Sequence, residues 1–194
     1  MKKLTEYGAK ALTDVRDLFQ KEPTRIMMSG WWWDTSKIDP DSVNEMEFTE
    51  FMSPDNECGT VGCIAGHLMH AEGLELDRHG YLQTKLEDVK LSEELAKTLS
   101  PDQLEQLCSY NDTIASGAAG WMLFGNPPLG GSMMVPEYLA ELLHVDSWPE
   151  DLKLDYEEAD EMEDPVGKGK ATVERINRYL EQYAPEKEEH ACIA

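Results

Sequence analysis

The segment N-E-C-G-T-V-G-C-I-A-G-H-L-M-H at positions 56–70 constrains the fold more than any other stretch of the chain. Small residues alternate with aliphatic ones over positions 59–66, and this pattern predicts a helix that a neighbouring element can approach closely. The helix is expected to run from about Thr60, a suitable N-cap, to Glu72, with Gly73 as its stop. We therefore expect it to pack in the core, with its cysteines serving as small apolar side chains.

The same segment also holds a candidate metal or thiol site, formed by Cys58, Cys63, His67 and His70. On a helix the last three residues, spaced i, i+4 and i+7, project from one face, and four N and S ligands suit tetrahedral zinc. Closed zinc sites, however, usually draw their ligands from two separated elements. Cys58 precedes the helix, where backbone N–H groups favour a thiolate that His67 or His70 would activate. Core packing, zinc binding and a reactive thiol all stay open.

Apolar periodicity elsewhere predicts a mostly α-helical chain. Helices are expected at about 4–20, 92–99, 113–124, 135–144 and 168–183. The Gly- and Ala-rich helix at 113–124 is expected to be central to the core. An extended segment at 25–33 and a hairpin turning at 78–80 add a small antiparallel sheet. The predicted fold class is α+β with few strands.

The length of 194 residues predicts a single compact domain over residues 1–184, followed by a flexible tail at 185–194. No run of about 18 apolar residues occurs, so no membrane-spanning segment is expected. The opening M-K-K-L-T-E-Y lacks the apolar region of a signal peptide. These features predict a cytoplasmic protein.

Charge is the strongest global signal, because 39 acidic residues stand against 17 Lys and Arg and give a net charge of -22. Such a field repels nucleic acids and anionic membranes, and it attracts basic proteins. The ordinary alternative is that the charge only maintains solubility. The acidic concentration near the C-terminus, together with one tryptophan of the W-W-W run, forms the predicted partner-binding set. Its members are Glu150, Asp151, Asp155, Glu157, Glu158, Asp160, Glu161, Glu163, Asp164 and Trp31.

The segment C-G-T-V-G-C-I-A-G-H, with M-M-S-G-W-W-W upstream and an L-F…P pattern downstream, resembles a group of uncharacterised bacteriophage and bacterial proteins. The resemblance covers roughly residues 26–125. It depends mainly on the C-G-T-x-x-C-I-A-G residues of positions 58–66. It implies a phage or mobile-element setting and assigns no catalytic residue.

Three hypotheses for function follow. The first is a non-enzymatic acidic protein that binds a basic protein; in its sharper form it is a phage-type inhibitor that mimics nucleic acid towards a host nucleic-acid-binding protein. The second is a small metal- or thiol-dependent enzyme centred on the Cys/His segment. The third is a structural or accessory phage protein. No cofactor is expected outside the zinc alternative, and the sequence does not predict an oligomeric state.

Overall fold

The computed structural model of the protein describes residues 2–26, 28, 32–34, 60–74, 91–102, 115–125 and 135–185. Within these ranges the chain forms seven α-helices and two short strands. The helices are α1 (Glu6–Lys21), α2 (Ile64–Ala71), α3 (Glu93–Thr98), α4 (Ala115–Phe124), α5 (Glu137–Leu143), α6 (Glu150–Glu161) and α7 (Pro165–Gln182). The strands are β1 (Trp32–Asp34) and β2 (Thr60–Gly62), and single 3-10 turns occur at Pro23–Arg25 and Val145–Ser147. The prediction of a mostly helical fold is confirmed.

Helix α1 begins where Thr5 caps it, since the Thr5 side chain accepts a hydrogen bond from the Gly8 N–H at 2.9 Å. It ends before Pro23, whose ring cannot continue a helix. The predicted apolar stripe lies inward, with Leu12, Val15 and Phe19 buried. This face packs against α2, α4 and α7, so α1 lies at the centre of the described core.

Helices α2 and α4 form the apolar layer beneath α1. Helix α4, A-S-G-A-A-G-W-M-L-F, is apolar on all sides and is buried from Ala118 to Phe124, as the sequence predicts for a central helix. Helix α2 packs directly on α4, and its small residues Ala65 and Gly66 are buried. Core packing of this segment is therefore observed.

The predicted boundary of this helix is wrong. Thr60–Gly62 form β2, which pairs antiparallel with β1 so that Thr60 is opposite Asp34 and Gly62 is opposite Trp32. The helix begins at Ile64, and Cys63, rather than Thr60, is its N-cap. The β-branched pair Thr60–Val61 favours a strand over the first turn of a helix. The hairpin predicted at 78–80 lies outside the described residues.

Helices α6 and α7 form an antiparallel pair at the C-terminal end of the described chain. The turn between them places Glu163 at a φ of 53°, and the Asp164 carboxylate then caps α7 by accepting from the Val166 N–H at 3.0 Å. Arg175 of α7 is buried and donates to the Glu141 carbonyl, which fixes α5 on α7. None of the helices in the described ranges is long and apolar enough to cross a membrane. The single-domain limits of 1–184 and the flexible tail stay predictions.

A close backbone contact between α1 and α4 generates a stability prediction. A Cβ added at Gly8 would lie 2.3 Å from the Leu123 carbonyl oxygen. Alanine normally stabilises a helix relative to glycine by about 0.5–1 kcal/mol, but overpacking costs about 1–3 kcal/mol. We expect Gly8→Ala to lower the free energy of unfolding in a denaturant titration, and Gly8→Ser to lower it further. A more stable Gly8→Ala variant would contradict this packing.

Candidate functional site

Cys63 acts as a structural cap at the start of α2. Its backbone is extended (φ -76°, ψ 174°), and its Sγ accepts a hydrogen bond from the Gly66 N–H at 3.4 Å. The side chain is buried, and desolvation raises the pKa of the thiol to about 11. The thiol is therefore protonated at neutral pH, and a thiol is a poor nucleophile compared with a thiolate.

His67 lies one helical turn further along and is also buried. Its Nε2 lies 3.1 Å from the Arg25 carbonyl oxygen, and its ring meets the Phe19 ring edge to face with centroids 4.8 Å apart. Burial lowers the pKa of the imidazole to about 3, so the ring is neutral. The neutral tautomer that fits this geometry carries its proton on Nε2 and donates it to the carbonyl.

His70 is exposed, whereas Cys63 and His67 are buried. The three predicted ligands therefore do not share one environment on the helix. Among the residues that the structure describes, no three His, Cys, Asp or Glu side chains form a group able to hold a metal ion. Cys58 lies outside those residues. The zinc site and the Cys58-centred thiol site stay predictions.

Beside His67 a cavity of about 440 Å³ opens between α1, α2 and the start of α3. Its lining includes buried polar side chains on the floor and exposed charged side chains at the rim. The floor includes Tyr7, His67 and Glu72, and the rim includes Lys10 and Glu94, which form an ion pair of 3.1 Å. Because the rim carries both a positive and a negative side chain, it favours neither an anionic nor a cationic ligand.

Glu72 is the residue that joins the elements around this cavity, and sequence reasoning missed it. Its buried carboxylate accepts hydrogen bonds from the Tyr7 hydroxyl of α1 and from the Ser92 N–H (2.7 Å) and Ser92 hydroxyl (3.1 Å) at the start of α3. Burial and this carboxylate raise the pKa of Tyr7. A glutamate at a helix end is usually solvated, so no signal in the sequence indicated this contact.

The acidic surface of α6 is the second candidate site. Eight of the nine predicted carboxylate residues are exposed, and Asp164, the cap of α7, is half-buried. Asp151 pairs with Arg178 (2.8 Å) and Asp160 pairs with Lys168 (3.0 Å), so these two acids bind α6 to α7. Glu157 lies 3.7 Å from Lys153 on its own helix.

The other five predicted acids take part in none of the ion pairs between described residues. They are Glu150, Asp155, Glu158, Glu161 and Glu163. The predicted set thus divides into three acids in ion pairs, Asp164 as the cap of α7, and these five exposed acids outside the pairs, which we call the solvent-facing acids. Trp31, the remaining predicted contact residue, lies outside the described residues.

Comparisons of the chain with protein-family models, curated proteins and solved structures find no match. The phage or mobile-element setting implied by the C-G-T-x-x-C-I-A-G segment stays a prediction.

The burial of His67 predicts a pH dependence of stability. The folded protein binds the imidazole proton only near pH 3, whereas the unfolded chain binds it near pH 6.5. Stability from this group is therefore present above pH 6.5 and is lost as the pH falls, by about 2 kcal/mol at pH 5. Denaturant titrations at pH 8 and pH 5 measure the free energy of unfolding of the wild type and of His67→Gln. We expect the wild type to lose about 2 kcal/mol more than His67→Gln between pH 8 and pH 5. Replacing the exposed His144 with Gln is the control, and parallel curves for wild type and His67→Gln would contradict the assignment.

The Glu72 contacts predict a second stability effect. Glu72→Ala leaves the buried Tyr7 hydroxyl without its acceptor, which costs about 1–3 kcal/mol. It also removes the acceptor of the Ser92 N–H, which solvent can partly replace because Ser92 is exposed. Glu72→Gln keeps one acceptor oxygen and should lose less. Thermal unfolding of both variants, with Glu94→Ala as an exposed control that should change little, checks the order. Equal melting temperatures for Glu72→Ala and Glu94→Ala would be inconsistent with the role of Glu72.

Proposed function

We propose that the protein is a non-enzymatic, cytoplasmic, acidic protein that binds a basic protein through the exposed face of α6. In the sharper form of the proposal, it is a phage-type inhibitor acting in the host cytoplasm. Its carboxylates there occupy the nucleic-acid-binding groove of a host factor. The observation that carries the proposal is the group of exposed acids on and just after α6 that no ion pair among the described residues engages.

The negative charge along α6 supports the binding of a basic protein. A helix of this length spans about 18 Å and carries seven carboxylate residues in E-D-L-K-L-D-Y-E-E-A-D-E. Duplex DNA of the same length carries about ten phosphate charges. Three of the seven carboxylates form ion pairs with Lys153, Lys168 and Arg178, so the helix offers four carboxylates to a basic groove, fewer than the phosphates of the duplex. Complementary charge of this kind accelerates association and selects partners.

The exposed acids also fit the alternative in which the negative charge only maintains solubility. The two hypotheses differ in whether the position of an acid on the surface matters. If charge only maintains solubility, an acid on α6 is equivalent to an exposed acid on any other helix. If α6 is the binding face, its acids matter more than the others. A structural or accessory role predicts no dependence on these positions.

The test compares two variants with the same change in net charge. The first carries Asp155→Asn, Glu158→Gln and Glu161→Gln on α6, and the control carries Glu6→Gln, Glu137→Gln and Glu181→Gln on other helices. Each immobilised protein is incubated with a bacterial lysate, and the captured proteins are identified by mass spectrometry at increasing salt. We expect wild type and control to retain basic nucleic-acid-binding proteins, and the α6 variant to release them at several-fold lower salt.

Two results would count against the proposal. If the wild type captures no basic protein, the proposal is wrong. If the α6 variant and the control lose their captured proteins at the same salt concentration, the charge only maintains solubility. Displacement of the protein from its captured partner by duplex DNA is the further result expected for nucleic-acid mimicry.

A further inference from the structure

The exposed face of α6 carries apolar side chains as well as carboxylates. Leu154 is 54% exposed and Met162, the C-cap residue of α6, is 63% exposed. The buried face of the same helix is formed by Leu152, Tyr156 and Ala159, so Leu154 and Met162 are not part of the core. Their exposure is unexplained by the packing of α6 on α7.

Helical spacing sets these two side chains in a row. Leu154, Glu158 and Met162 follow one another at intervals of four residues, so they lie along one ridge of the helix. Acids border the ridge on both sides, because Asp155 and Glu161 occupy the neighbouring positions around the exposed surface. The arrangement is a row in which the Glu158 carboxylate separates two exposed apolar side chains, with further acids on both sides.

Protein–protein interfaces combine apolar contacts with polar and charged ones. A surface that only imitates phosphates needs negative charge and gains nothing from a leucine and a methionine facing a polar groove. A partner that matches this row must present apolar side chains for Leu154 and Met162 together with Lys or Arg side chains for Glu158 and the bordering acids. A basic amphipathic helix has this composition along one face.

We propose that α6 docks a basic amphipathic helix of the partner, with Leu154 and Met162 contacting its apolar side chains and with Glu158 and the bordering carboxylates contacting its Lys and Arg side chains. This inference rests on the proposed function, since it assumes that the partner is a basic protein. It adds that affinity comes from apolar contact as well as from charge. Burial of even part of two such side chains contributes measurably to binding.

The probes are two synthetic 18-residue helical peptides with the same number and positions of lysines. One carries leucines along a single face, and the other carries glutamines at those positions. Their binding to wild type, to the double variant Leu154→Gln/Met162→Gln and to the control Val166→Gln is measured by titration calorimetry at about 0.15 M salt. Val166 is a matched control because it is 46% exposed but belongs to α7. Circular dichroism confirms that each variant is folded.

We expect the wild type and Val166→Gln to bind the Lys/Leu peptide about tenfold more tightly than the Lys/Gln peptide, a difference of about 1.4 kcal/mol. The double variant should bind both peptides with the weaker affinity. Equal binding of the two peptides by the wild type, or a preference that persists in the double variant, would overturn the docking inference and leave the proposed function standing. Binding of neither peptide by the wild type would contradict both.

Discussion

The contact between α1 and α4 at Gly8 determines how the rest of the described chain is arranged. The Thr5 N–H donates to the Leu123 carbonyl at 2.9 Å, and the absence of a side chain at Gly8 lets the two backbones approach at that point. Helix α1 in turn packs on α2 and α7 and carries Tyr7 to Glu72. A shift of α1 away from α4 would therefore disturb the core, the cavity floor and the start of α3 together.

Polar groups serve two separate purposes in this molecule. Around the cavity, His67 and Glu72 are buried and hydrogen-bonded to backbone or side-chain partners, which stabilises the junction of α1, α2 and α3. On α6 three exposed carboxylates form ion pairs, two of them with α7, whereas the solvent-facing acids, such as Glu158 and Glu161, form none with a described residue. The buried set is satisfied within the fold, whereas the solvent-facing set has charge available for another molecule.

Sequence periodicity predicted the helices best where one face is apolar, as in α1 and α7, because burial of a stripe is a local property. It failed at Thr60–Gly62, where pairing with Trp32–Asp34 converts the expected first helical turn into a strand, because this contact is remote in sequence and the helical pattern outweighed the β-branched pair Thr60–Val61. The role of Glu72 was hidden for the same reason. The acidic run was evident in the sequence, but which of its members pair with Arg178 and Lys168 depends on how α7 packs on α6.

The central claim is that the solvent-facing acids of α6 contact a basic protein. Zero-length cross-linking of carboxylates to lysines, applied to the protein with a basic protein that it captures and followed by peptide mapping, tests this claim most directly. Cross-links concentrated on Asp155, Glu158 and Glu161 are the predicted result. Cross-links scattered over the exposed acids of all the helices in proportion to their number would contradict it and would indicate that the charge acts without a defined binding face.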